Sequence, residues 1–413
     1  MTEKFLPYSR QQIEEDDIAE VVRVLRGDWL TTGPEVKKFE DDLAAYCGAR
    51  YAVACANGTA ALHLAVLALG LKKGDGVVTT PITFLSTANC ARFAGADVFF
   101  ADVEPTTTNL DPDQVESVLL TKQGTIKALL PVHFAGQPAR MERFSSLAQQ
   151  YGTKIIEDAC HALGAAYTDN SGETVKVGSC KHSDMTVFSF HPAKGVTTGE
   201  GGAITTNDRS LYEKLLTFRN HGMVRDDGPK PLVNRQYAYD ETGVMHPWYY
   251  EMQELGYNYR ITDFQCALGR SQLAKVARFI RQKAGLADIY RKRIGESAIL
   301  SQVITPSPVY EGITHAHHLF VVRVDFKGLG LSRSALMGSL RKEGIGTQVH
   351  YIPLHFQPYY REQDETIMGP FPCAEAYYEE CLSLPLFSGM TANDVERVVA
   401  TLEKMCNDGK MSV

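Results

Sequence analysis

Short apolar runs alternate with segments of helical periodicity between about residues 50 and 220. The runs that predict strands are rich in β-branched residues and bounded by turn residues. They are RYAVACAN, GVVTTP, ADVFFADV, IKALLPVHFAG, TKIIEDA, MTVFSFH and GAITTND. Helical patterns separate several of them: AALHLAVLALG, a stretch through Ala94, and a stretch from Arg140 to Tyr151. This pattern is typical of a mainly parallel sheet covered on both faces, with ligands at the carboxyl ends of the strands.

The pattern changes after residue 225. Residues 226–251 contain Gly, Pro and many aromatic residues, and predict a long surface loop that shapes a site or an interface. A long helix or helix pair is predicted next, followed by a strand in HLFVVRVDF, a helix in SRSALMGSLRKEG and a strand in IGTQVHYIP. We expect a large domain over residues 1–265, and a linker helix with a small C-terminal α/β domain over residues 266–413.

Composition narrows the classes of function. The chain has 413 residues, of which 44% are hydrophobic and 22% charged, as in ordinary globular proteins. The net charge of −7 provides no basic field for nucleic acid or an anionic membrane. The N-terminus lacks a signal-peptide layout, and the most apolar stretch, Ala60 to Leu71, is too short to span a bilayer. We therefore expect a cytoplasmic protein.

The cysteines predict neither disulfides nor a metal centre. Their number is nine, which is odd, and they form no CxxC pair or ladder of metal-ligand spacing. We interpret them as reduced core residues and expect no metal site.

Lys194 is the first candidate for chemistry. It lies among small residues in FSFHPAKGVTTGEGGAI, in a turn between two predicted strands, where a lysine has little packing purpose. Asp158 ends the apolar strand KIIEDA, where a carboxylate is costly unless a cation pairs with it. A protonated pyridinium is such a cation. The pair predicts pyridoxal phosphate (PLP), with Lys194 holding it as a Schiff base and Asp158 holding its ring nitrogen protonated.

A phosphate site is predicted where a strand passes into a helix. The segment NGTAAL allows Gly58, Thr59 and Ala60 to direct backbone N–H groups at a phosphate on the helix N-terminus. Ser189, on the strand that leads to Lys194, offers a hydroxyl donor. NGTAAL is also a common start of helices in general. It therefore supports a phosphate site only in combination with Lys194.

Two ring-bearing residues are further candidates for cofactor contacts. Phe84 follows a predicted strand and can stack on a planar ring, although a core aromatic residue explains it nearly as well. His161, three residues after Asp158, can reach the ring hydroxyl or stack on the ring.

Together these segments resemble the DegT/DnrJ/StrS family of PLP-dependent sugar aminotransferases. The resemblance spans nearly the whole chain and rests on the order of the motifs. The motifs are NGTAAL, TTPITFLSTAN, IIEDACHALGA, FSFHPAKGVTTGEGGAI, RNHGM, LGYNYRITDFQCALG and VHYIPLH. It implies a fold-type-I, aspartate aminotransferase-like transferase with a mainly parallel seven-stranded sheet in the large domain.

The resemblance also implies roles for single residues. Lys194 would carry the cofactor and act as general base for a 1,3-proton shift, while Asp158 pairs with the pyridine nitrogen. Ser189, Gly58, Thr59 and Ala60 would surround the phosphate, with His161 and Phe84 against the cofactor. Asn258 would reach the phosphate of a neighbouring subunit, which implies a homodimer with shared active sites.

Within this family, FSFHPAK, HPWYYEMQELGYNYR and GIGTQVHYIPLH look most like members that aminate a UDP-4-keto-6-deoxy-N-acetylhexosamine in pseudaminic acid biosynthesis. L-glutamate would donate the amine. His350, Tyr351 and His355 would approach the sugar nucleotide from the small domain. Residues 246–250 could cover the nucleotide or contact a subunit, and a GDP- or dTDP-linked keto sugar is an alternative substrate.

Three other functions compete with this interpretation. PLP-dependent sugar dehydratases typically carry His where this chain has Lys194, and the iron–sulfur version needs a cysteine cluster. A nicotinamide dehydrogenase needs G-x-G-x-x-G between strand and helix, whereas the glycines at 199–202 have the wrong spacing. A PLP-binding regulator without turnover is disfavoured because no basic stretch or added DNA-binding domain is present.

Overall fold

The computed structural model describes residues 5–225, 228, 230–362 and 369–410. Its strands, in chain order, have the following bounds. They are β1 (Tyr51–Cys55), β2 (Gly76–Thr79), β3 (Asp97–Phe100), β4 (Ile126–Leu130), β5 (Lys154–Asp158), β6 (Ala166–Thr168), β7 (Thr174–Lys176), β8 (Met185–Ser189), β9 (Gly202–Thr206), β10 (Met223–Val224), β11 (Glu251–Met252), β12 (Ile304–Pro306), β13 (Ile313–Thr314), β14 (Phe320–Val324) and β15 (Cys381–Leu384).

The helices cover both faces of the central sheet and form most of the C-terminal part. They are α1 (Glu15–Leu25), α2 (Pro34–Cys47), α3 (Gly58–Leu69), α4 (Leu85–Phe93), α5 (Pro112–Thr121), α6 (Met141–Tyr151), α7 (Arg209–Arg219), α8 (Arg235–Ala238), α9 (Asp263–Leu273), α10 (Val276–Glu296), α11 (Leu300–Val303), α12 (Phe326–Leu329), α13 (Arg333–Lys342), α14 (Pro358–Arg361), α15 (Pro372–Glu380) and α16 (Ala392–Lys410).

The central sheet has seven strands in the order β1-β9-β8-β5-β4-β2-β3. The pairs from β3 to β8 are parallel, and β9 runs antiparallel to both of its neighbours. Each strand is buried on both faces, which explains its continuous apolar run: Val53, Ile156, Val187 and Ile204 are fully buried. The predicted mainly parallel, seven-stranded α/β fold is confirmed.

This topology brings the ends of several strands to one edge of the sheet. β1, β2, β5 and β8 end there, and the reversed strand β9 begins there. The loops after these strands therefore meet, as expected for the ligand-binding edge of a parallel sheet.

The C-terminal part contains a second, antiparallel sheet of three strands in the order β12-β14-β15. Helices α10, α13 and α16 pack against it around a separate core that includes Tyr290, Val322, Leu340 and Val399. The helix pair predicted before this part is α9 and α10. The boundary at residue 265 stays a prediction.

The strand expected in IGTQVHYIP does not form. Ile345 makes an isolated bridge to Leu6, and Gln348 makes another to Ser383, so that no ladder continues along the segment. The periodicity was misleading because its alternate residues face different neighbours, with His350 and Tyr351 reaching a cavity beside the central sheet.

Within the predicted loop 226–251, residues 226, 227 and 229 lie outside the described residues, and the described ones include regular structure. β10 and β11 pair at the base of the segment, and α8 lies within it. The Glu251 carboxylate accepts hydrogen bonds from the backbone amides of Val233 and Asn234, at 2.9 and 2.7 Å.

Two sequence expectations concern the chain as a whole. All nine cysteines are free thiols, and seven of them are buried. Across the described helices, none combines the length and apolar character that crossing a membrane requires.

Candidate active site

A cavity of about 990 Å³ lies at the edge where the strands of the central sheet end. The loops that follow β1, β2, β5 and β8 form one side, and a segment from residue 348 to 357 forms the other. Ten residues predicted from the sequence line it: Gly58, Thr59, Ala60, Phe84, Asp158, His161, Ser189, Lys194, His350 and Tyr351. The fold therefore brings together segments that are far apart in the chain.

Asp158 is the last residue of β5 and is buried. Its carboxylate accepts a hydrogen bond from the Thr87 hydroxyl at 2.7 Å and one from the Cys160 backbone N–H at 3.1 Å. Thr87 is itself bonded to the Thr83 hydroxyl at 2.7 Å. No described side chain forms an ion pair with Asp158, so that its negative charge remains available to a cation in the cavity.

Lys194 lies in the loop between β8 and β9. Its backbone N–H donates to the His191 carbonyl at 2.8 Å, and the Ser9 hydroxyl donates to the neighbouring Ala193 carbonyl at 3.2 Å. Burial lowers the pKa of Lys194, while Cys160 and Asp158 act in the opposite direction. The amine has no hydrogen-bond partner within the described part of the chain, which suits a nucleophile.

The N-terminus of α3 forms a narrow polar corner. A Cβ on Gly58 would lie 2.9 Å from the Ser189 Cβ, so that only glycine permits this approach between helix and strand. The Asn57 side chain caps the helix by accepting from the Ala60 N–H at 2.8 Å. Ala60 lines the cavity, but its amide already donates this hydrogen bond to Asn57. The first-turn amides of Gly58 and Thr59 and the Ser189 hydroxyl are left to face an anion.

His161 forms a buried pair of rings with His318, whose centroid is 4.2 Å away. The His161 Nε2 is 3.0 Å from the Tyr351 hydroxyl. Burial, together with the nearby charge of Lys194, holds the pKa of His161 well below its usual value. Its Nδ1 is buried and has no partner among the described residues, which leaves one polar atom for a bound group.

The predicted sugar-binding residues separate into two groups. His350 and Tyr351 line the cavity, and the His350 Nδ1 is 2.8 Å from the Ser383 hydroxyl. His355 does not line it: its Nε2 is 3.2 Å from a Glu375 carboxylate oxygen, beside the Phe356 and Phe371 rings. His355 therefore lies apart from His350 and Tyr351, and its role in sugar binding stays a prediction.

Asn258 also lies outside the cavity of its own chain. It makes an isolated bridge to Asn220, close to a second cavity of about 800 Å³ that Asn220 and Arg260 line. The aromatic segment at 246–250 does not line the first cavity either, and 72% of Trp248 is exposed.

Several residues of the site were not found from the sequence. Thr87 lies one helical turn after Phe84 in the same motif, and that spacing was the available signal. His318 and Tyr8 line the cavity from distant segments, where nothing local to the sequence indicates a site.

The described residues also bring Glu142, Asp169 and His182 together, with possible metal-ligand atoms within 4.8 Å of one another. The Lys181 ammonium already binds Asp169 at 2.5 Å, which supplies the positive charge at this position. This cluster is outside the large cavity.

Comparison with known proteins places these features in a family context. A family model described as the DegT/DnrJ/EryC1/StrS aminotransferase family matches residues 11–403. The spore coat polysaccharide biosynthesis protein SpsC of Bacillus subtilis is 39% identical over 396 residues, which cover 96% of this chain and 95% of SpsC.

Two solved structures have the same fold over nearly all of the chain. Helicobacter pylori PseC, an aminotransferase involved in the biosynthesis of pseudoaminic acid, is 28% identical with a TM-score of 0.85, covering 98% of this chain and 100% of PseC. The PLP form of Spr1654 from Streptococcus pneumoniae is 25% identical with a TM-score of 0.83, covering 98% of this chain and 99% of that one.

Proposed function

The chain belongs to the DegT/DnrJ/EryC1/StrS aminotransferase family, and from this membership we propose that it transfers an amino group from L-glutamate to the C4 keto group of a nucleotide-linked 4-keto-6-deoxy sugar. It is a PLP-dependent sugar aminotransferase, as its family and structural relatives are. The observation that carries the proposal is the placement of Lys194 and Asp158 in one large cavity.

The chemistry of the cavity residues fits PLP. Lys194 would hold the cofactor covalently through its amine, and Asp158 would pair with the ring nitrogen. The Gly58 and Thr59 amides and the Ser189 hydroxyl would bind the phosphate. His161 would place its unpartnered Nδ1 toward the ring hydroxyl, an assignment supported by the burial of that atom. When bound, PLP supplies an electron sink for negative charge at the substrate carbon.

Lys194, Asp158 and His161 would control the positions of protons and the charge in the cavity. Because burial lowers the pKa of Lys194, a larger fraction of its amine is unprotonated near neutral pH than in an exposed lysine, so that more of it can act as a base. It would take the proton from Cα of glutamate and deliver a proton to C4 of the sugar. Asp158, whose side chain is positioned by its two hydrogen bonds, would keep a proton on the ring nitrogen. His161 is neutral and so adds no competing positive charge.

The sugar acceptor we propose is UDP-2-acetamido-2,6-dideoxy-4-hexulose, on the pseudaminic acid pathway. The motifs around Lys194 and His350 support it, as does the similarity to PseC. A dTDP- or GDP-linked keto sugar is the second candidate. The relative SpsC, at 39% identity, is named for spore coat polysaccharide biosynthesis, and that name specifies no nucleotide. The cavity of about 990 Å³ is large enough for a cofactor and a substrate together.

A substrate panel tests the acceptor. The purified protein with PLP and L-glutamate is incubated with UDP-, dTDP- and GDP-linked 4-keto-6-deoxy sugars, and amino sugar and 2-oxoglutarate are measured by mass spectrometry. We expect both products with the UDP sugar. Products with only the dTDP or GDP sugar would overturn the UDP assignment and keep the aminotransferase. Loss of a sugar hydroxyl without new amine would instead indicate a dehydratase, and no turnover at all a regulator.

We also propose a homodimer in which Asn258 of one copy approaches the cofactor phosphate of the other. The position of Asn258 outside its own cavity supports this arrangement. Exposed apolar side chains are consistent with a subunit contact, among them Trp29, Trp248 and Leu255. The cytoplasmic location expected from the sequence stays a prediction.

A further inference from the structure

Tyr351 and His161 form a pair of rings in the wall of the large cavity. The Tyr351 hydroxyl lies 3.0 Å from the His161 Nε2, and the two rings are inclined by only 23°. Both residues line the cavity together with Lys194 and Asp158. Since 190 positions separate the two residues in the chain, only the fold brings them together. The sugar contact expected for Tyr351 makes no use of this bond.

The surroundings of the pair determine its charge state. The titratable groups that face it are Tyr8, Asp158, Cys160, Lys194, His318 and His350. Burial, followed by the charge of Lys194, holds the pKa of His161 well below its usual value. Burial, followed by the charge of Asp158, raises the pKa of Tyr351. Near neutral pH the imidazole is therefore neutral, and the phenol keeps its proton.

The hydrogen bond between these two neutral groups has a preferred direction. A neutral imidazole carries one N–H donor and one bare nitrogen that accepts. A phenol is a stronger acid than a neutral imidazole N–H, so that the phenol is the better donor of the two. Within the described part of the chain, the Tyr351 hydroxyl has no other hydrogen-bond partner, and its proton would otherwise lack an acceptor. Tyr351 therefore donates, and the His161 Nε2 accepts.

A donor at Nε2 leaves the single ring proton of His161 on Nδ1. This nitrogen is buried and lacks a partner among the described residues. A buried N–H group is costly unless it meets an acceptor. The ring oxygen of PLP, proposed above to lie toward Nδ1, is such an acceptor and carries negative charge when its hydroxyl is ionised.

We propose that Tyr351 is a positioning residue that fixes the proton of His161 on Nδ1, so that His161 offers a neutral N–H donor to the ring oxygen of the cofactor. This inference rests on the proposed PLP site. A negative ring oxygen holds a proton on the nitrogen that joins Lys194 to PLP, and a hydrogen bond donated to that oxygen weakens this hold. Loss of the donor should therefore raise the pKa of the joining nitrogen.

The position of the proton can be measured in the protein without PLP. The histidine rings are labelled with ¹⁵N, and long-range ¹H–¹⁵N correlation NMR at pH 7 distinguishes a protonated ring nitrogen from a bare one. The signal that disappears in His161→Phe identifies His161. In the wild type we expect the proton on Nδ1. In Tyr351→Phe, where the hydroxyl no longer faces Nε2, we expect the proton to be shared between both nitrogens.

The effect on the cofactor is measured by the absorbance of the protein with bound PLP as the pH is varied. The visible band of PLP reports the proton on the joining nitrogen. In Tyr351→Phe we expect the midpoint of this titration to rise by roughly 0.5 to 1 pH unit, the size of one hydrogen bond. His161→Phe should raise it at least as much, and adding Tyr351→Phe to that variant should change nothing further.

The matched control is Tyr360→Phe. Tyr360 is a buried tyrosine outside the large cavity, and its hydroxyl donates to the Asn89 side chain at 2.7 Å. Its substitution removes a hydroxyl and a hydrogen bond of the same kind, and we expect the midpoint to stay unchanged.

A His161 proton found on Nε2 in the wild type would overturn the inference. So would a midpoint that Tyr351→Phe leaves unchanged. An equal shift when His161 is already replaced by Phe would also overturn it, because the hydroxyl would then act without the imidazole. If no PLP band forms at all, the proposed cofactor site fails, but the NMR measurement still decides whether Tyr351 places the proton of His161.

Discussion

At the scale of single residues, the Asp158 carboxylate depends on the donors around it. Thr87 and the Cys160 backbone each give it one hydrogen bond, and these fix the position of the side chain that would face the ring nitrogen. Thr87 is buried, so that its hydroxyl is not replaced by water when it is removed.

Replacing Thr87 by Val should weaken this support. The variant keeps the shape of the side chain but loses the donor, so that Asp158 loses one of the two hydrogen bonds that hold it in position. We expect the rate at which L-glutamate converts bound PLP to its amine form to fall roughly tenfold. Stopped-flow absorbance measures it. Thr87→Ser keeps a hydroxyl and is the matched control; equal rates for Thr87→Val and the wild type would contradict the role given to Thr87.

At the scale of secondary structure, the N-terminus of α3 both caps a helix and lines the active site. Asn57 caps α3 through the Ala60 amide, just as Asp208 caps α7 through the Ser210 and Leu211 amides at 2.7 and 3.1 Å. The two caps differ in position, because only Asn57 lines the cavity.

Substituting each cap by Ala separates stability from binding. Both Asn57→Ala and Asp208→Ala should lower the free energy of unfolding by about 1 kcal/mol, measured by urea denaturation without PLP. Only Asn57→Ala should also weaken PLP binding, measured by absorbance titration, since the freed helix end no longer holds its amides in place. If Asp208→Ala weakens PLP binding equally, the phosphate is not bound at α3.

The strands and helices of the central sheet could be predicted because burial on both faces leaves continuous apolar runs between turn residues. The segment IGTQVHYIP shows where this reasoning fails. A segment that makes only isolated bridges and lines a cavity can show the same alternation of apolar and polar residues as a strand. His355 shows the same limit for side chains, because its Glu375 partner is 20 positions away in the sequence.

At the scale of the whole molecule, buried neutral histidines couple stability to pH. Burial lowers the pKa of His317 and His350 to about 3, and holds those of His161 and His318 well below the usual 6.5. As the pH falls below about 6.5, these four histidines bind protons in the unfolded chain but not in the folded chain. The part of the free energy of unfolding that these histidines contribute is therefore fully present above about pH 6.5. It is lost as the pH falls from there toward 3.

Acid unfolding should show this coupling. We expect the thermal midpoint of the protein without PLP to fall steadily between pH 7 and pH 5, with roughly 1.4 kcal/mol lost per pH unit for each such histidine. Differential scanning calorimetry measures it. His317→Asn removes one of these groups and should make the slope shallower. A midpoint that does not change over this range would show that the histidines are already charged or exposed.

The shared active site can be tested by mixing two variants that are each expected to lose activity if both residues serve the site. Lys194→Ala and Asn258→Ala are refolded together, so that mixed dimers contain one site with both residues intact. We expect recovery of about a quarter of the wild-type activity if the sites are shared between subunits. If each site is formed by one subunit alone, no mixed dimer has an intact site and activity does not return.

The most direct test of the account is to locate the lysine that binds PLP. The protein with PLP is treated with sodium borohydride, which makes the bond between cofactor and amine permanent, and peptides are identified by mass spectrometry. We predict a pyridoxyl group on Lys194 that is absent in Lys194→Ala. Labelling of another lysine, such as the buried Lys283, or of none, would contradict the assignment of the active site.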